Sequence, residues 1–138
     1  MIALDTNVLV RFLVEDNEAQ SAAAAALIEE ALSREEGLFV SAIVVCETVW
    51  VLTTAYRVKK PEVVAILREL FRAKQLVFDS PDNLSRALAA YGAGRGDFAD
   101  YIIREEARAA GCDSVATFDR ALLSDRYFTQ PEAPPRRR

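Results

Sequence analysis

The chain has 138 residues, 51% of them hydrophobic and 28% charged, with a formal net charge of −4. That is the size of one ordinary domain, apolar enough to pack a core and too apolar for intrinsic disorder. There is no histidine, which excludes Ser-His-Asp triads, Cys-His nucleophiles, histidine general bases and most zinc hydrolase sites. A hydrolase made from this chain has to work with carboxylates, alone or through hard cations that prefer oxygen ligands.

No apolar run reaches the roughly 20 residues of a membrane-spanning helix. The start, Met1 to Asp5, lacks the basic-then-apolar pattern of a secretion signal. Cys46 and Cys112 stand in no metal-ligand or disulfide spacing and read as small buried hydrophobes, so a cytoplasmic protein with reduced thiols is expected. The charge is uneven: residues 1–54 hold two basic and nine acidic side chains, and residues 55–138 hold fifteen and twelve. The second part can still offer a basic rim to phosphate.

Ile2-Ala3-Leu4 predicts a short buried strand running into a turn at Asp5-Thr6-Asn7. Val8 to Val14 predicts a short helix. Asp16 or Asn17 then caps a long, alanine-rich helix that Gly37 stops. Leu38-Phe39-Val40 predicts a second strand, and Ser41 a cap for a third helix from Ala42 to about Tyr56. Lys60-Pro61 opens a fourth helix with proline at its first helical position. Its stripe of Val63, Val64, Ile66, Leu67, Leu70 and Phe71 suits either a core, with half of it buried in the monomer, or a dimer or partner surface.

Leu76-Val77-Phe78 predicts a third strand, and Ser80-Pro81 the start of a fifth helix. Gly92 to Gly96 reads as a flexible loop, without the Gly-Lys-Ser/Thr of a phosphate-binding loop. A sixth helix begins at Asp97 and ends at Gly111. Ser114-Val115-Ala116 predicts a fourth strand that delivers Thr117-Phe118-Asp119, followed by a helical turn and a last strand near Tyr127-Phe128. One domain over residues 1–130 is expected, with a disordered Pro/Arg tail over 131–138. The alternation of strands and helices predicts an α/β sandwich around a parallel sheet.

Five acids stand out. Asp5 and Asp119 each follow a strand, and in a parallel sheet ligands gather beyond the carboxyl ends of the strands; each also suits a plain helix N-cap. Glu47 lies in an apolar helix, on one stripe with Ile43, Trp50 and Val51, where a buried carboxylate needs a metal or a guanidinium partner. Asp97 and Asp100 share a face at the start of the sixth helix. Asp100 lies on the stripe of Ile103 and Ala107, expected to point inward, and is the stronger metal candidate. Asp97 serves as cap or holds a water.

The conjunction suits phosphodiester hydrolysis, in which one or two Mg²⁺ ions activate water and stabilise the charge building on phosphate. Thr6, Asn7 and Thr117 are placed to orient ligands by hydrogen bonds. Arg95, Arg104, Arg108 and Arg120 suit either RNA phosphate contacts or ion pairs with the acids.

Taken together, Ile2-Ala-Leu-Asp-Thr-Asn-Val-Leu-Val, Glu47 within Val45-Cys-Glu-Thr-Val-Trp-Val-Leu, Asp97-Phe-Ala-Asp100-Tyr-Ile-Ile and Gly111-Cys with Thr117-Phe-Asp119 resemble a PIN-domain protein, most of all the VapC-like toxins of prokaryotic toxin–antitoxin pairs. The resemblance runs from Met1 to about residue 128. It implies an RNA endonuclease dependent on Mg²⁺ or Mn²⁺, with an acidic quartet of Asp5, Glu47, Asp100 and Asp119 and a further acid at Asp97. It also implies a five-stranded parallel sheet flanked by helices in three layers, a homodimer, and inhibition by a small antitoxin protein.

Two other readings fit parts of the pattern. An aspartate-nucleophile phosphatase would use Asp5, but such enzymes of the haloacid dehalogenase type carry a second aspartate two places on, where this chain has Asn7. A PIN-like binding protein without activity would lack acids at the site, and none is missing.

Overall fold

The computed structural model describes residues 1–136. Parallel strands alternate with helices, as expected, and the chain divides into two compact units, Met1–Ser85 and a second that begins at Arg86.

In the first unit, β1 (Ile2–Ala3), β2 (Leu38–Val40) and β3 (Leu76–Phe78) form a parallel sheet in that order, with Ile2 opposite Leu38 and Leu38 opposite Leu76. Parallel neighbours need a crossover, and helices supply it. α1 (Thr6–Leu13) and α2 (Glu18–Ser33) connect β1 to β2, and α3 (Ala42–Thr54) and α4 (Lys60–Arg72) connect β2 to β3. Leu9, Ile28, Val40, Val45, Leu52, Val63 and Leu67 fill the core. The α4 stripe is half core: Val63, Leu67 and Leu70 are buried, and Phe71 meets Phe78 edge-on at 5.1 Å.

Three local expectations change. β1 is an edge strand, and Ile2 is 57% exposed where burial was expected; only Leu4, just past the strand, is buried. α2 ends at Ser33, ahead of Gly37. Glu35 takes the left-handed conformation (φ 55°), and the N–H groups of Glu35 and Glu36 donate to the carbonyls of Leu32 and Ala31, closing the helix without a glycine. Gly37 is needed for a different reason: a β-carbon there would stand 2.6 Å from a Val77 methyl.

α5 (Pro81–Ala93) carries the chain from one unit into the next. The second unit continues with α6 (Phe98–Ala109), β4 (Val115–Ala116), a 3₁₀ turn (Arg120–Leu122) and β5 (Phe128–Thr129), which pairs with β4 in parallel. Its core is aromatic, with Tyr91 edge-on to Phe98 at 5.9 Å and Tyr101 edge-on to Phe128 at 6.4 Å. The five strands thus fall into a sheet of three and a sheet of two. Residues 131–136 hold no regular element, and the rest of the predicted tail, Arg137 and Arg138, lies outside the described residues. Among the described residues no helix is long and apolar enough to cross a membrane.

Candidate active site

In the first unit the site grows from the start of α1. Asp5 follows β1 in an extended conformation and caps α1, its Oδ1 accepting the Thr6 N–H at 2.8 Å. Thr6 is buried, and its hydroxyl donates to Glu47 Oε2 at 3.3 Å. One threonine therefore holds both acids, Asp5 by its backbone and Glu47 by its side chain. Glu47 is presented by α3, which Ser41 caps by accepting the Val44 N–H at 3.2 Å.

The sequence placed Glu47 on a buried stripe, and the structure reverses that. Val45, Thr48, Val49 and Leu52 face the core, while Glu47 is exposed beside Ile43 (70% exposed) and Trp50 (67%). α3 is apolar on almost every side, so its composition does not say which face is covered.

The second unit holds the other acids. Asp97 is the N-cap of α6, and three residues on, Asp100 Oδ2 accepts the Asp97 N–H at 2.8 Å. Asp119 caps the 3₁₀ turn, its Oδ1 accepting the Ala121 N–H at 3.0 Å, and Thr117 Oγ1 accepts the Asp119 N–H at 3.0 Å. Asp97 and Asp119 are exposed, and Asp100 is half-buried. Burial, together with the charges of Asp97 and Asp119, pushes the Asp100 carboxyl above the usual carboxylate range, against the Asp97 N–H that favours its ionised form. Gly96 permits this crowding: a β-carbon there would fall 3.1 Å from Asp100 Oδ2 and 2.3 Å from a Leu122 methyl.

The inward stripe of α6 also differs from expectation. Phe98, Tyr101, Ile102 and Glu105 are buried, whereas Ile103 is exposed. Glu105, only 2% exposed, is the buried glutamate of this chain. Its oxygens take Arg86 Nε at 3.0 Å and Arg104 Nε at 2.9 Å, and Arg104 also pairs with Asp125. Arg104 is thereby spent on ion pairs, and Arg108 lies over the Tyr127 ring. Arg95 and Arg120 are exposed. One signal marks Glu105 in the sequence, its place seven residues after Phe98 on an apolar stripe. Cys46 is half-buried and Cys112 exposed, so neither is the buried hydrophobe expected.

Asn7 stands apart from the acids. It lines a cleft of about 340 Å³ along α1 and α2 with Val8, Arg11, Gln20, Ala23, Ala24 and Leu27. None of the five acids lines that cleft.

The donors at hand are carboxylate oxygens, the set that hard divalent cations prefer. Burial and the charges of Asp97 and Asp119 both disfavour an ionised Asp100, and a cation beside it would offset them. Among the described residues no three His, Cys, Asp or Glu side chains form a group that could hold a metal ion; Mg²⁺ commonly keeps several waters and takes only one or two carboxylates.

Asp5 and Asp119 each follow a parallel strand, at the carboxyl end where α/β sheets gather their ligands. The PIN domain model matches residues 2–127, and the chain belongs to that family. Domains of this family are generally nucleases, hydrolases acting on nucleic acid, and they typically use divalent metal ions. No curated protein matches the chain.

Proposed function

We propose that this protein is a Mg²⁺-dependent endoribonuclease, with Mn²⁺ as an alternative ion, acting through Asp5, Glu47, Asp97, Asp100 and Asp119. The observation that carries the reading is the grouping of acids in the second unit: half-buried Asp100 accepts the Asp97 N–H at 2.8 Å and lies within the field of both Asp97 and Asp119, a setting that favours a cation. The family resemblance assigns Asp5, Glu47, Asp100 and Asp119 to the metal and adds Asp97 as a further acid, whose role would be to orient a water. The metal supplies charge stabilisation to the phosphate and acidifies a water. The chain's own carboxylates would accept the proton of an attacking water as its oxygen bonds to phosphorus and the bond to the sugar oxygen breaks, that oxygen taking a proton from solvent. Thr6 and Thr117 fix acid orientation, and Arg95 and Arg120 are the guanidinium groups available for flanking phosphates.

The resemblance to VapC-like toxins supports a finer reading. In it, residues 1–130 form the nuclease domain of a cytoplasmic homodimeric toxin, held inactive by a small antitoxin protein. Labelled RNA incubated with the protein in Mg²⁺ should be cut, and EDTA should stop the cutting. Asp5→Asn, Asp100→Asn and Asp119→Asn should each abolish it. Asn caps helices about as well as Asp, so loss in Asp5→Asn or Asp119→Asn is chemical rather than structural. Cleavage that survives these substitutions would overturn the mechanism. Induced expression in bacteria should arrest growth, and unhindered growth at high expression would overturn the toxin role.

A further inference from the structure

Of the seven phenylalanines, four tyrosines and one tryptophan, only Trp50 and Phe118 are exposed. Each stands beside a proposed site acid. Trp50 is one turn beyond Glu47 on the same open face of α3, and Phe118 immediately precedes Asp119. An exposed aromatic is unremarkable alone. Here the exposed pair coincides with the acids in two separate parts of the chain.

Phe118 is the better defined of the two. Its ring is 77% exposed, but the backbone on either side is pinned. The Thr117 N–H donates to the Thr129 carbonyl at 2.8 Å, and the Asp119 N–H donates to Thr117 Oγ1 at 3.0 Å. The Leu122 N–H donates to the Asp119 carbonyl at 3.1 Å. The ring therefore springs from a held stretch of backbone, its Cα about 3.8 Å from that of an acid of the site. Phenylalanine has no polar atom with which to read a base edge, so what it offers is a stacking surface. Unpaired bases use such surfaces whatever their identity, whereas bases inside a duplex are not free to do so.

Resting on the ribonuclease reading, we infer that Phe118 stacks on an unpaired base next to the phosphate that is cut. The test uses a single-stranded RNA oligonucleotide and copies carrying one abasic nucleotide at successive positions around the cleavage point. Phe118→Ala should lower kcat/KM about 10-fold or more, mainly through KM, as loss of one stacked base predicts. Phe118→Tyr should restore activity and Phe118→Leu should not. One abasic position should bring the wild type down to the Phe118→Ala level and leave Phe118→Ala itself unchanged.

Wild-type kcat/KM in Phe118→Ala, equal rescue by leucine, or additive losses from the abasic site and the substitution would each overturn the inference while leaving the ribonuclease reading intact. So would an altered oligomeric state in Phe118→Ala, which would make the ring a protein contact. If the wild type cuts no RNA, the ribonuclease reading fails, and binding of the oligonucleotide in EDTA then decides: binding weakened in Phe118→Ala keeps the stacking role, and no binding or equal binding overturns it.

Discussion

The Thr6 hydroxyl donates to Glu47 across 41 residues of sequence, at 3.3 Å, while the same residue's N–H is held by Asp5. Because Thr6 touches both acids without being ionisable, it separates positioning from chemistry. Thr6→Val keeps the shape and the backbone contact and removes only the hydroxyl. Stability should fall by about 1 kcal/mol, the usual net worth of one hydrogen bond. RNA cleavage should fall about 10- to 100-fold, as when a partner that orients a metal ligand is lost. Steady-state kinetics beside a urea titration checks the split, and unchanged kcat/KM would show that Glu47 needs no such support.

Glu105 tests a structural role. Removing it strips Arg104 of one partner in a place where both are largely covered. Arg86, well exposed, can turn to water, and Arg104 keeps Asp125. The cost of Glu105→Ala should therefore sit at the low end for a broken buried ion pair, about 3 kcal/mol. Glu105→Gln should cost less, since it still accepts a hydrogen bond. Urea denaturation of the two variants gives both numbers.

Asp100 has a signed pH dependence. Its carboxyl titrates above the ordinary value of 3.8 in the folded protein, so the folded state holds the proton more tightly than the unfolded one. The stability this provides is complete below the unfolded pKa and is lost as pH rises through the folded pKa. In EDTA, Asp100→Asn should therefore melt above the wild type at pH 7, with the difference reversed or gone near pH 3.5. Mg²⁺ should raise the melting point of the wild type and not of the variant. A variant less stable than the wild type at pH 7 in EDTA would show that the Asp97 N–H outweighs burial and repulsion.

The order of elements was legible because its signals are local: Ser41 and Asn17 as caps, Pro61 in a first turn, and the apolar triplets Leu38–Val40 and Leu76–Phe78. Asp5, Asp97, Asp100 and Asp119 stand out in the sequence as acids at the starts of elements, and Glu47 as a lone acid inside an apolar helix. What failed was the rotation of helices about their axes. α3 is apolar nearly all round, so the outward turn of Ile43, Glu47 and Trp50 is decided by packing against residues far along the chain. In α6, a charged residue sits on the buried stripe because Arg86, 19 residues earlier, comes to meet it. No local pattern announces such a partner.

β4 and β5 are two residues each, joined where the Val115 N–H donates to the Tyr127 carbonyl and the Thr117 N–H to the Thr129 carbonyl. Asp119 is suspended just past that short ladder, whereas Asp97 and Asp100 belong to a helix of 12 residues. Local unfolding draws first on segments with few buried contacts. Phe128 resists that: peeling away Phe128–Thr129 would uncover a buried ring that packs edge-on against Tyr101 of α6, so the two-residue ladder that carries Asp119 is tied to the core of its unit by one aromatic contact.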